Sequence, residues 1–216
     1  MNKTMETIST EEKKQQGAVP QMMKNAGVLF AITLIAGLVL GVVYDMTKDP
    51  IAKQKEMAVF EACQEVFPNV ATFESMTYEL PDDMIQSIEK DLISVGRIWK
   101  ALASDQSFYG YVVEVTTKAG YQSDITLLLG VTDSGTLSGI SLLSIAETPG
   151  LGMRAKEVLL PQFQGDASSY TLNEQAGSVP QTHIDAISGA TITSQAITEA
   201  VNAGLTVTAF LSGRAQ

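Results

Sequence analysis

Residues 26–44 read Ala-Gly-Val-Leu-Phe-Ala-Ile-Thr-Leu-Ile-Ala-Gly-Leu-Val-Leu-Gly-Val-Val-Tyr, with no charge and apolar character on every face. A helix of that length crosses a bilayer core, and apolarity on all sides is not that of a helix lying on a soluble core. A cleaved signal peptide has a shorter apolar region ending in small residues, which Tyr44-Asp45-Met46-Thr47 is not. The predicted element is a retained transmembrane helix over 26–44. Before it, residues 1–25 are rich in Lys, Glu, Gln and Thr and are expected to be a disordered tail.

Beyond the span, Pro50 either starts a new helix or bends the old one. Ala58, Cys63, Val66 and Phe67 lie among charges as one face of a short juxtamembrane helix would. Residues 68–90 are acidic and weakly patterned, so an irregular connection with one helical turn is expected within 45–92. From residue 93 the pattern turns to strands. Val95–Leu102, Phe108–Thr117, Ser123–Thr132 and Thr136–Ala146 are rich in β-branched and aromatic residues and separated by turn formers, with Asp133-Ser134-Gly135 a hairpin signal. Ile197, Ala200, Val201, Gly204, Leu205 and Thr208 recur at helical spacing. Helices over Met153–Leu160 and Thr193–Leu211 would cover one face of the meander. The expected fold class is α+β: an antiparallel β-sheet packed by helices over 93–216, anchored by one N-terminal transmembrane helix.

Composition removes several functions. Fourteen basic against twenty-four acidic residues give a net charge of −10, which repels phosphate backbones, so nucleic acid is not an expected partner. Cys63 is the single cysteine and His183 the single histidine. No intramolecular disulfide and no thiolate-held zinc or iron–sulfur site can be built from one cysteine, and no metal site is expected. A hydrolase using Ser188 with His183 and Asp185 is disfavoured, because the three lie too close along one segment and no Gly-x-Ser-x-Gly elbow is present.

Two short stretches carry the candidate chemistry. In Asp185-Ala186-Ile187-Ser188-Gly189-Ala190-Thr191 a hydroxyl arrives where a β-rich segment ends and a helix begins. Thr191 falls in the first helical turn, where unpaired N–H groups and the macrodipole favour an anion; the plain alternative makes Ser188, Thr191 and Thr193 candidate N-caps. In Glu147-Thr148-Pro149-Gly150-Leu151-Gly152 two glycines two residues apart let backbone amides approach a flat ring, although Pro149-Gly150 is also a common turn pair.

The first stretch resembles the flavinylation motif of FMN-binding domains in the G subunits of Rnf complexes and in the C subunits of sodium-pumping NADH:quinone reductases. The second is similar to the glycine-rich loop that faces the flavin in those domains. Gly120-Tyr121, the apolar run 125–131, the anchor and the Phe67-Pro68 helix end follow in the same order, so the resemblance covers residues 26–211. It departs at Ala186, where the family often has glycine.

The resemblance implies that Thr191 carries FMN as a phosphoester, installed by a separate flavin transferase with FAD as donor. Ser188, Gly189 and Ala190 form the loop before the acceptor, Asp185 is the upstream acid, and Glu147, Thr148, Gly150, Leu151 and Gly152 lie at the flavin. Glu147 would orient the loop or border the ring, where a carboxylate disfavours the anionic reduced form. No residue need be catalytic in the acid–base sense, and no independent catalytic activity is expected. The implied role is electron relay between subunits of a membrane complex linking ferredoxin and NAD through Na⁺ or H⁺ translocation. The compact length favours the Rnf G subunit over the longer quinone-reductase C subunit, and a membrane-tethered non-redox binding module is the alternative. Lys13, Lys14 and Lys24 precede the span and Lys48, Lys53 and Lys55 follow it, so the positive-inside rule barely orients it. The resemblance places the chain in the cytoplasmic membrane with the flavin domain on the extracytoplasmic side.

Overall fold

The computed structural model describes residues 2–165, 168–173 and 182–213, with the backbone alone for 2–19. The chain divides into two compact units, Met1–Lys55 and Glu56–Gln216. Helix α1 runs over Asn2–Val66 and contains Pro20 and Pro50. The tail expected to be disordered is therefore helical from Asn2, residue 1 lying outside the described residues. Its Glu, Lys and Gln are good helix formers, and each proline removes one backbone hydrogen bond without ending the helix. The stretch Pro20–Val66 is the one helix among the described residues long and apolar enough to cross a membrane, and its most apolar part is fully exposed.

The second unit is an α+β domain. Strands β1 (Thr72–Met76), β2 (Ile93–Leu102), β3 (Phe108–Thr117), β4 (Ile125–Thr132) and β5 (Leu137–Ser144) form an antiparallel meander in sequence order. The folded unit begins at Glu56 rather than at residue 93, and residues 68–90 are not an irregular connection. They supply edge strand β1 and helix α2 (Asp82–Lys90), whose acidic first turn suits the positive end of its dipole. A short pair of parallel strands, β6 (Thr171–Asn173) and β7 (His183–Asp185), leads into helix α4 (Thr191–Leu211). Residues 166–167, 174–181 and 214–216 of the unit lie outside the described residues.

Both faces of the sheet are covered, where one covered face was expected. Side chains alternate across a strand, so Ile98, Val113, Val115, Leu127 and Leu129 join α4 residues Ile197, Ala200 and Val201 in one core. Trp99, Ala101, Val112 and Leu128 point the other way and bury Ala62, Cys63, Val66 and Phe67 from the end of α1. The three leucines Leu127, Leu128 and Leu129 are fully buried for that reason. Val59 and Ala62, rather than the expected Ala58, turn inward with Cys63. At the helix end the Ser138 hydroxyl donates to the Val66 carbonyl at 3.0 Å and Lys156 pairs with Glu65 at 2.9 Å.

After β5 the chain makes a turn, a 3-10 turn over Gly152–Arg154, helix α3 (Ala155–Val158) and a second 3-10 turn over Leu160–Gln162. A single helix over Met153–Leu160 was expected. Pro161, just beyond that span, lacks the N–H a continuing helix needs and stands in the second 3-10 turn, so the helix goes no further.

Candidate functional site

The approach to α4 is a tight turn. Ala190 N–H donates to the Ile187 carbonyl at 2.8 Å, and Gly189 sits at φ +77°, in the left-handed region that glycine adopts at no steric cost. Buried Ser194 fastens it from inside: its Oγ accepts from Ile187 N–H at 3.0 Å and donates to the Ala190 carbonyl at 2.9 Å. Gln162 secures the strand before it, accepting from Asp185 N–H at 2.7 Å and donating to the Asp185 carbonyl at 3.1 Å.

Thr191 is therefore the first residue of α4, exposed, and no hydrogen bond among the described residues engages its hydroxyl. The N-cap is Ala190, which has no side chain able to cap, so none of Ser188, Thr191 and Thr193 fills the capping role open to them. The first backbone bond of the helix runs from Ser194 N–H to Ala190. The amides of Thr191, Ile192 and Thr193 thus face outward from a dipole's positive end, which is the setting that holds an anion.

The second candidate stretch comes to the same place. Glu147, Thr148, Leu151, Gly152, Gly189, Ala190, Thr191 and Thr193 line one cleft of about 610 Å³, joined by Tyr121, Gln122 and Ile192. A volume of that size lies within the usual ligand range of about 300–1,000 Å³. A Cβ on Gly189 would come within 3.1 Å of Leu151 Cδ2, so the two loops touch across the floor. Tyr121, Leu151 and Ile192 leave large apolar surface exposed at the mouth, as a flat aromatic ligand requires.

Other expected residues stand apart. Gly150 has φ +78° with open space where a Cβ would be, so it serves the turn and does not line the cleft. Ser188 is exposed and also outside the lining. The Asp185 carboxylate accepts from Asn173 Nδ2 at 3.3 Å. His183 Nδ1 is buried without a partner among the described residues, and no hydrogen bond there links Ser188, His183 and Asp185. Glu147 does not border the cleft as a free charge: it is 4% exposed, with Oε1 accepting from the N–H groups of Gln122 and Ser123 and Oε2 from the Thr193 hydroxyl.

The FMN-binding domain family matches residues 120–206, from within the β3–β4 turn to the body of α4, and the RnfG N-terminal region matches residues 19–66. The G subunit of the Na(+)-translocating ferredoxin:NAD(+) oxidoreductase complex of Acetobacterium woodii is 31% identical over 186 residues, covering 83% of this chain and 88% of that one. The G subunit of the ion-translocating oxidoreductase complex of Methanosarcina acetivorans is 31% identical over 178 residues, covering 82% and 89%. The G subunit of the proton-translocating ferredoxin:NAD(+) oxidoreductase complex of Clostridium ljungdahlii is 31% identical over 202 residues, covering 88% and 98%. The chain belongs to the RnfG family. In this RnfG-family protein the FMN-binding match contains both loops of the cleft, and the N-terminal match ends where α1 ends. The resemblance seen in the two motifs holds over most of the chain. Two residues lining the cleft, Gln122 and Ile192, were not singled out in the sequence, and Thr193, a candidate N-cap there, instead turns its hydroxyl inward to Glu147.

Proposed function

We propose that this protein carries FMN joined through its phosphate to Thr191 Oγ1 and relays electrons within a membrane complex coupling ferredoxin:NAD oxidoreduction to Na⁺ or H⁺ translocation. The observation that carries this reading is an exposed Thr191 hydroxyl, unpartnered among the described residues, at the uncapped start of α4, opening on the cleft formed with the 147–152 loop. Bound FMN supplies the redox chemistry. The chain's own residues bind and orient: the amides of 191–193 face a phosphate, Gly189 keeps the approach narrow, and Leu151, Ile192 and Tyr121 offer apolar contact at the mouth. Both Glu147 oxygens are engaged by donors, which lessens their opposition to a nearby anion. The FMN domain would then extend from Glu56, the β1–α2 segment included.

The apolar stretch 26–44 holds no Asp, Glu, Lys, Arg or His, so ion translocation belongs to the partners in the complex. The relatives' names include both a Na⁺- and a proton-translocating complex, and nothing in the span of this chain distinguishes the two ions. The flavin domain is placed outside the cytoplasmic membrane. C-terminal fusions to periplasm-active and cytoplasm-active reporters test this, and activity from the cytoplasmic reporter alone reverses it.

The central claim is tested by expressing the full chain with and without a flavin transferase. With it, denatured protein should fluoresce under ultraviolet light in a gel and gain the mass of one FMN less one water. Thr191→Ala should remove the adduct and stay folded, since an exposed side chain without partners changes stability by no more than about 0.5 kcal/mol. Thr191→Ser retains the nucleophilic oxygen and should be labelled in part, as should Ser188→Ala. A colourless wild type after co-expression would favour the non-redox binding module, and a label on Thr193 would sink the assignment.

A further inference from the structure

Glu147 and Thr193 are 46 positions apart, yet the Thr193 hydroxyl donates to Glu147 Oε2 at 3.0 Å. The other carboxylate oxygen accepts from the Gln122 and Ser123 N–H groups at 3.1 and 3.4 Å. Three segments thus meet on one buried carboxylate: the β3–β4 turn, the loop after β5 and the first turn of α4. No cation pairs with it among the described ion pairs. A buried carboxylate without a cation must have its lone pairs filled by donors, and here three donors supply that need.

The room for this arrangement is made by glycine. A Cβ on Gly152 would lie 2.7 Å from Glu147 Cβ and 2.9 Å from Thr193 Oγ1, and one on Gly120 would lie 2.9 Å from Glu147 Oε1. Gly152 therefore serves the carboxylate beneath the loop, a use distinct from letting amides reach a ring. Thr193 follows Thr191 by two residues, a rotation of about 200° on an α-helix. With Thr193 turned inward and 1% exposed, Thr191 must face out.

We propose that Glu147 and Thr193 form a positioning latch, which sets the rotation of the first turn of α4 against the 147–152 loop and so aims the Thr191 hydroxyl at the flavin's seat. The proposal rests on the reading that Thr191 carries FMN. Neither residue is catalytic; both act through the placement of Thr191 and the loop.

The test uses the full chain, labelled by co-expression with a flavin transferase and also unlabelled. Thr193→Val removes the hydroxyl at nearly constant shape, Thr193→Ser keeps it, and Glu147→Gln removes the charge while its carbonyl still accepts from Gln122 and Ser123 and its amide can donate to Thr193. Far-UV circular dichroism and melting confirm folding. Thr193→Val should carry one FMN on Thr191, lose most of the visible circular dichroism of the bound flavin, and gain fluorescence severalfold. Its unlabelled form should exchange the Gln122 and Ser123 amides at least tenfold faster. Thr193→Ser should restore all three signals, and Glu147→Gln should stay near wild type. Wild-type signals in Thr193→Val, failure of Thr193→Ser to restore them, or an equal change in Glu147→Gln would each overturn the latch. A wild type without covalent FMN would instead overturn the reading of Thr191, while amide exchange in the unlabelled chain would still decide the latch.

Discussion

Val66 fills the space that a Cβ on Gly130 would need. Gly130 pairs across the β4–β5 ladder with Gly139, whose Cβ would lie 3.4 Å from the Val66 backbone. Two facing glycines thus make a flat seat on the sheet for the last turn of α1. Phe67 extends that seat and meets Tyr109 edge-on at 5.2 Å between ring centroids.

Gly130→Ala should therefore unseat the end of α1, because the added methyl meets a residue that is itself 1% exposed. Overpacking of this kind costs about 1–3 kcal/mol. Urea unfolding in detergent should show a lower midpoint at unchanged slope, with flavin attachment preserved, since the cleft lies elsewhere. An unchanged midpoint would mean that Val66 shifts freely.

The two glycines of the 147–152 loop should respond differently. Gly152→Ala meets Glu147 and Thr193 at once and should disturb both the flavin's absorption and stability. Gly150→Ala meets nothing within 4 Å and carries only the strain of φ +78°, about 1 kcal/mol. Melting temperature and visible spectra of the two labelled variants check the contrast. A spectral shift in Gly150→Ala equal to that in Gly152→Ala would place Gly150 in the flavin's seat.

The sequence was most legible where one signal sufficed. Strand β3 occupies the predicted residues, and α4 begins two residues before its predicted start, because alternation and helical spacing are strong there. The turn before α4 was read from Gly189 and the helix that follows. Strand β1 was hidden because it is an edge strand with exposed Glu74 and Ser75, and α2 because its nine residues include Asp82, Asp83, Glu89 and Lys90. The role of Glu147 depends on donors 24, 25 and 46 residues away, which no local pattern contains.

Cys63 belongs to the domain's second core, beyond the charges that follow the uncharged stretch 26–44. Burial pushes its thiol from 9.0 up to about 12, against the nearby Arg97 charge and with that of Glu114. The folded state therefore holds a proton that the unfolded chain releases above pH 9.0, so stability should fall as pH rises from 9.0 toward 12. The slope from this one group is about 1.4 kcal/mol per pH unit. Other groups titrate there too, so the measurement is the difference between wild type and Cys63→Ala. That difference should shrink with rising pH, and iodoacetamide should label Cys63 only after unfolding. A constant difference across pH 8–11 would show that burial does not hold the thiol neutral.

Ser194 offers the sharpest separation between the turn and the proposed acceptor, Thr191. Its hydroxyl satisfies the Ile187 N–H and donates to the Ala190 carbonyl, and the residue is fully buried. Ser194→Ala leaves the Ile187 donor without a partner in a dry interior, a cost of about 1–3 kcal/mol. The Thr191 hydroxyl is untouched, so the chemical capacity for a phosphoester remains. What changes is how steadily residues 187–190 hold that hydroxyl outward. Time courses of labelling with purified flavin transferase and FAD should show a slower rate reaching the same endpoint, with the adduct on Thr191 by peptide mapping. A Thr191→Ala, Ser194→Ala double variant should stay unlabelled. If Ser194→Ala is destabilised as expected but labelled at the wild-type rate, the turn's internal fastening serves the fold alone and transfer does not depend on it.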